Sequence, residues 1–219
     1  MLGISPVFQQ FRRDTLAQAH VSPGQQVLDL GCGPGYFLAP LVQCRARVTA
    51  LDYSEVMLAH AKNALATATS SCAESSVEFV LDDAEHFLRR ARDSTFDLVI
   101  ASLFLSYLPN PEALLAQIIR VLKPGGRLVM SNPVPRPHFA KVFWRSGWTA
   151  IRHLFAALQL LKYAGQIKRW EKAGVFRFFA ANETQQMLVR AGFEPGSLVI
   201  TSTLAGTVFL TTAIKPSTV

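Results

Sequence analysis

The chain has 219 residues, half of them apolar and 17% charged, with a net charge of +7. That balance supports a sizeable core and excludes a disordered chain, which combines low hydrophobicity with high net charge. Three scattered cysteines, Cys32, Cys44 and Cys72, exclude a disulfide framework or a zinc cluster and fit a reducing compartment.

Met1 to His20 carries Gln9, Gln10, Arg12, Arg13 and Asp14 and has no apolar stretch of signal length. Gln25 to Leu30 is a short apolar run ending in Gly31-Cys32-Gly33-Pro34-Gly35, so strand, glycine loop and helix (Tyr36 to Val42) follow one another. Arg47 to Leu51 alternates and is β-branched, a second strand ending at Asp52. Ser54 is placed to cap a helix whose apolar residues Met57, Leu58, Ala61 and Leu65 recur at helical spacing. Val77 to Leu81 is a third strand, leading to Asp82-Asp83, and Phe96 to Ala101 a fourth. Pro111 to Leu122 reads as a helix stopped by Lys123-Pro124-Gly125-Gly126, and Arg127 to Ser131 as a fifth strand.

Five strands alternating with four helical stretches are the signature of right-handed βαβ units on a parallel sheet. Beyond them, Asn182 is predicted to cap a helix over Glu183 to Ala191, closed by Gly192. The uncharged run Pro195 to Ile214 contains Pro195, Gly196 and Gly206. It reads as two strands, Ser197 to Thr203 and Thr207 to Ile214, turned back on each other, not as a membrane span. The expected fold is a three-layer α/β sandwich on a seven-stranded, mostly parallel sheet with the last strand antiparallel. The expected setting is soluble and cytoplasmic.

Residues 133–181 interrupt this alternation. Pro133, Pro135 and Pro137 open the segment, followed by Trp144, Trp148, Ile151, Phe155 and Leu158 at helical spacing. Between Arg136 and Arg177 nine basic residues face a single acid, Glu171, so the whole basic excess sits in this insert. The expectation is one domain over 1–219 with 133–181 as a helical lid over an acceptor pocket. Tryptophans beside a basic flank also suit an interfacial helix in peripheral contact with an anionic membrane; solvated packing on the domain is the plainer reading. Nucleic acid is disfavoured, because no recognised RNA module accompanies the patch and its aromatics form a helix face.

In an open parallel sheet, ligands bind beyond the carboxyl ends of the strands. Asp29 precedes the glycine loop by two residues, Asp52 ends strand two, and Asp83 follows strand three. Asp52 is placed where a carboxylate accepts from both ribose hydroxyls. Three acids around the loop suit a ligand with a ribose and a positive charge but no phosphate. The spacing Gly31-x-Gly33-x-Gly35 departs from the dinucleotide fingerprint, and the phosphate-loop Lys-Ser/Thr is absent.

Val27-Leu-Asp-Leu-Gly-Cys-Gly-Pro-Gly-Tyr36, Leu51-Asp-Tyr-Ser54, Asp82-Asp-Ala-Glu85, Phe96-Asp-Leu-Val-Ile-Ala-Ser102 and Leu122-Lys-Pro-Gly-Gly-Arg127 occur in order. Over Gln25 to Ser131 the chain resembles the class I S-adenosylmethionine-dependent methyltransferases of small-molecule type. The resemblance implies S-adenosylmethionine as cofactor, with Asp29 and the Gly31, Gly33 and Gly35 loop on its methionine portion. It further implies Asp52 on the ribose, Tyr53 along the nucleoside, Asp83 and the Ala84 backbone at the adenine, and the Ala101 and Ser102 backbone facing the methionine amino group. Where small-molecule members often carry a histidine, this chain has Ser106-Tyr107. Base candidates are then His138 and Tyr107, with Tyr36, Trp144 and Trp148 against the acceptor; His153 falls on the polar side of the insert. Asp97 and Lys123 read as fold, and Ser131-Asn132-Pro133-Val134 as a strand ending in a turn. No metal-ligand spacing is present. The acceptor expected is small and lipophilic or aromatic. An RNA or protein methyltransferase docking through the insert, or a non-catalytic adaptor binding membrane or a partner, are the competing readings.

Overall fold

The computed structural model describes residues 6–68, 76–108, 110–135 and 177–217. Most of the 133–181 insert, including His138, Trp144, Trp148 and His153, therefore lies outside the described residues.

Seven strands form one sheet in the order β3-β2-β1-β4-β5-β7-β6. They are β1 (Gln26–Leu30), β2 (Arg47–Asp52), β3 (Val77–Leu81), β4 (Phe96–Ser102), β5 (Leu122–Pro133), β6 (Val199–Thr203) and β7 (Val208–Ile214). Strands β1 to β5 pair in parallel, whereas β7 runs antiparallel to both β5 and β6. This is the expected arrangement of direction and strand count. The order reverses between β1 and β4, which opens a crevice at their carboxyl ends.

Strand alternation sends successive side chains to opposite faces and so builds two cores. Leu28, Leu30, Val99, Ala101, Leu128 and Met130 face a cluster covered by α4 (Ala84–Arg90), α5 (Pro111–Val121) and α6 (Ala181–Ala191). Val27, Val48, Ala50, Leu98, Ile100 and Val129 face the other cluster, under α1 (Pro6–Ala19), α2 (Leu38–Gln43) and α3 (Glu55–Ala68). The three layers follow from that division.

Helix α1 was not among the elements read from the sequence. Its buried residues, Val7, Phe8, Phe11, Thr15 and Ala19, are diluted by glutamines and arginines, and tertiary packing decides the matter. Phe8 meets Tyr36 edge-on at 4.8 Å and Phe11 meets Phe37 at 6.3 Å, contacts worth about 0.5–1.5 kcal/mol each beyond buried area. On its other side, Asp14 Oδ2 accepts from Thr203 at 2.6 Å and Gln18 donates to Thr201 at 2.9 Å. The helix thus ties the glycine loop to the antiparallel edge.

Several boundaries differ from expectation: α2 starts at Leu38 and not Tyr36, and β6 starts at Val199 because Pro195–Ser197 forms a 3-10 turn. Asn182 does not cap α6; it lies inside the helix, whose N-cap is Ala180 without a side-chain hydrogen bond. Strand β5 begins at Leu122, and Lys123-Pro124-Gly125-Gly126 is carried within it, with a register irregularity opposite Phe96 to Leu98. Lys215 holds this tight passage, since its N–H donates to Gly126 O at 2.9 Å and its carbonyl accepts from Gly125 at 3.0 Å.

At the amino-terminal edge, Asp97 Oδ2 accepts from the Gln26 N–H and from Lys123 Nζ, each at 2.8 Å. The two residues clamp β1, β4 and β5, as the fold reading of them expected. Asp97→Ala should cost about 1–3 kcal/mol in urea unfolding, because it strands a backbone donor and a cation, and should leave ligand affinity unchanged.

Candidate active site

The Gly31–Gly35 loop is held from beneath by β2. Gly31 and Cys32 both donate to Leu51 O at 2.9 Å, and Gly33 donates to Asp52 Oδ2 at 2.8 Å. The other Asp52 oxygen accepts from the Ser54 N–H at 2.9 Å, and Ser54 Oγ in turn caps α3 through Met57 N–H at 3.4 Å. Asp52 is therefore an anchor of the loop as well as a free edge for a ligand, because each carboxylate oxygen accepts more than one hydrogen bond.

Gly31 adopts φ +73°, and a Cβ built there would lie 2.7 Å from the Phe104 ring. Phe104, which follows β4, stands directly over the loop; nothing in its residue type had marked it. Gly33, at φ +53°, has open space where a side chain would be, so its backbone is accessible to a ligand. Gly35 is buried against Ala61 of α3 and so packs the loop on the helix.

Asp29 is 1% exposed, and its Oδ2 is buried without a hydrogen-bond partner among the described residues. Burial and then the neighbouring Asp52 charge push its carboxyl up to about 7. Burial, reinforced by Asp29 and then Asp52, also pushes the Cys32 thiol up and so disfavours its thiolate. Two acids meet at Asp29 with no cation beside them among the described residues, an arrangement that suits a positively charged ligand.

Asp83 caps α4: its Oδ1 accepts from Glu85 and His86 N–H at 2.9 and 3.1 Å. Asp82 is engaged otherwise, with His86 Nδ1 at 2.7 Å and with Arg90; the His86 hydrogen bond leads in holding its carboxyl below the usual range. Tyr53, 81% exposed, projects from the end of β2. Tyr107 stands half exposed near it, its phenol pushed up by burial and then by Tyr53. Ala101 and Ala84 are buried. Ser102 Oγ lies 3.2 Å from Ser131 Oγ, and the Leu103 N–H donates to both Ser131 Oγ and Ser131 O at 3.0 Å. Tyr36 packs on Phe8 of α1.

Asp29, Asp52, the loop, Tyr53, Asp83, Ala101 and Ser102 thus gather at the carboxyl edge of β1 to β4. Ser131, which fixes the turn after β4, was missed because a serine inside a strand carries no motif. A groove of about 630 Å³ between α1 and the 204–206 turn is lined by Gln10, Arg13 and Ser202 among others, and by none of these site residues. Among the described residues no group of three or more His, Cys, Asp or Glu could hold a metal ion.

Asp29 links this geometry to pH. Its carboxyl binds a proton more tightly folded than unfolded, so its contribution to stability is complete below pH 3.8 and is lost as pH rises through about 7. Chemical unfolding of the ligand-free protein should show a loss on the order of 4 kcal/mol across that window. Asp29→Asn should flatten the profile and be the more stable protein at pH 8; a profile unchanged by the substitution contradicts the assignment.

Comparison with known proteins agrees with this edge. The methyltransferase domain family matches residues 28–130. A demethylmenaquinone methyltransferase from Lactiplantibacillus plantarum is 32% identical over 190 residues, spanning 85% of this chain and 77% of the relative. A phosphatidylethanolamine N-methyltransferase from Cereibacter sphaeroides is 34% identical over 132 residues, 59% of this chain and 58% of its own. In fold, the 1,6-didemethyltoxoflavin N1-methyltransferase of Burkholderia thailandensis superposes with a TM-score of 0.63 at 22% identity, covering 94% of this chain and 78% of that one. With the glycine loop, the acids beside it and the reversed strand order, these matches show that the chain belongs to the class I S-adenosylmethionine-dependent methyltransferases.

Proposed function

We propose that the enzyme methylates a small lipophilic acceptor, of the quinol or lipid kind, delivered at a membrane surface. The observation that carries the cofactor half is the Asp29–Asp52 pair beside the open backbone of Gly33. An unpartnered buried carboxylate oxygen fits a cationic ligand, and the accessible glycine backbone fits close approach, so the residues present suit S-adenosylmethionine. The acceptor half is supported by relatives named for demethylmenaquinone and phosphatidylethanolamine, both lipophilic, and by the tryptophans and basic excess of the insert.

When bound, S-adenosylmethionine supplies an electrophilic methyl group on a sulfonium centre. Asp29 and the Gly31–Gly35 loop would hold the methionine portion, with the Ala101 and Ser102 backbone toward its amino group. Asp52 would accept from the ribose hydroxyls with the lone pairs its backbone bonds leave. Tyr53 would lie along the nucleoside, and Asp83 Oδ2 and the Ala84 N–H, neither bonded among the described residues, would meet the adenine. The protein's main task is to align acceptor and methyl group and to exclude water, a role that suits a lid over 133–181. Tyr107 suits hydrogen-bond donation, since its environment disfavours the phenolate. His138 would serve as base where the acceptor must lose a proton.

Calorimetry should show S-adenosylmethionine binding that Asp52→Ala weakens about a hundredfold, given charge-assisted bonds worth about 1.5–3 kcal/mol each. Equal affinity in a folded Asp52→Ala protein, or tighter binding of a nicotinamide dinucleotide, removes the cofactor assignment. With methyl-labelled cofactor, label should pass to a solvent-extractable acceptor and not to RNA or protein. Anionic vesicles should retain the protein at low salt, release it at high salt, and retain less of it when Trp144 and Trp148 become serine. No anionic-vesicle binding at low salt removes the membrane part.

A further inference from the structure

Among the described residues, two buried oxygen atoms just after β4 and at the end of β5 lack a hydrogen-bond partner: Ser106 Oγ and Asn132 Oδ1, in residues each 1% exposed. Most buried polar atoms are paired, and an unpaired one costs folding free energy, so such a residue in place of an apolar one calls for a use. Neither is among the residues assigned to the cofactor, which end at Ser102 of β4.

Their placement is shared. Ser106 lies in the 3-10 turn Leu105–Tyr107 just after β4, and that turn packs against β5. Asn132 lies at the carboxyl end of β5, whose Ser131 is paired with Ser102 of β4. By strand alternation Asn132 shares a face with Leu128 and Met130, in the core cluster that also contains Leu105. The Arg177 N–H, on the chain leading into α6, donates to the Ser106 carbonyl at 2.9 Å and fixes the turn. Both oxygens thus stand one strand beyond the glycine loop, on the β4–β5 side of the crevice.

We infer that Ser106 and Asn132 form the polar seat of the methyl acceptor and select a neutral hydroxyl group, as in a hydroquinone or phenol. The inference rests on the proposed methyl transfer to a small lipophilic acceptor. The open atom of Asn132 is its oxygen, an acceptor, so it favours a group that brings its own hydrogen over a carboxylate or a carbonyl. The serine hydroxyl donates or accepts as needed and completes the pair. A site that hydrogen-bonds a hydroxyl rejects the analogue without it strongly, because the buried partner is then left unpaired.

The probe is a 1,4-naphthohydroquinone with a short prenyl chain, kept reduced, offered to the full chain with methyl-labelled S-adenosylmethionine. In Asn132→Leu and Ser106→Ala the acceptor KM should rise at least tenfold. Cofactor affinity should stay within twofold, and the thermal midpoint should be equal or higher, since a buried unpaired group has been removed. Thr184→Val removes another buried unpaired hydroxyl, in α6, and should leave the acceptor KM unchanged. The parent should gain thermal stability from the hydroquinone and not from its dimethyl ether.

Acceptor KM unchanged in both seat variants overturns the inference and leaves the methyltransferase reading standing. So does a fall in thermal midpoint with loss of cofactor binding, which would make the two residues structural. Cofactor binding without turnover of this or any phenolic probe overturns the lipophilic-acceptor reading and the seat together.

Discussion

The site depends on one carboxylate. Asp52 ends β2 and spends one oxygen on Gly33 and the other on Ser54, so it fixes the glycine loop on one side and the start of α3 on the other. Removing it would cost the loop its Gly33 bond and leave only the Gly31 and Cys32 bonds to Leu51 O to hold it on β2. Asp29 has no such bonds among the described residues, and burial beside Asp52 pushes its carboxyl well above the ordinary carboxylate range. Two acids of the same chemistry thus hold different offices, one mechanical and one responsive to the charge of what binds.

The sheet explains why these residues meet at all. Strand β1 delivers Asp29 and the loop, and β4, reached only after the order reverses, delivers Phe104 onto Gly31. A side chain at position 31 would collide with that ring. The loop's glycine is required by a residue more than 70 positions away in sequence, which no local pattern records. Helix α1 closes the other side through Phe8 and Tyr36, so the loop is bounded by three separate parts of the chain.

That difference between local and non-local causes marks what the sequence disclosed. Strands β1 to β4 were legible because β-branched runs punctuated by glycine, proline and aspartate carry their own signal, whereas their order in the sheet was not. Val77–Leu81 matched to the residue. The family and its acids were legible because five motifs occur in order. Helix α1 was not, since its apolar stripe is thin and its stability comes from Phe37, Tyr36 and Thr203 elsewhere. Asn182 drew the eye as a cap by type, yet α6 begins two residues earlier with no side-chain cap, its apolar face against α5 deciding the start. Lys123-Pro-Gly-Gly, which reads as a stop, is a tight passage within β5 because Lys215 bridges it.

Ser131-Asn132-Pro133 shows the same limit at the site itself. Read alone, it is a strand ending in a turn. In the sheet, β7 pairs with it as far as Pro133, which seals Asn132 inside and sets Ser131 under the Leu103 N–H. The cofactor side of the crevice is charged and its chemistry is common to the family. The β4–β5 side is lined by neutral polar atoms whose partners must come from elsewhere. In the proposed arrangement a cationic ligand and a neutral one would meet across the turn that Ser131 anchors. Selectivity for the acceptor can therefore change at Ser106 and Asn132 without disturbing Asp29 or Asp52, because different strands carry the two sets.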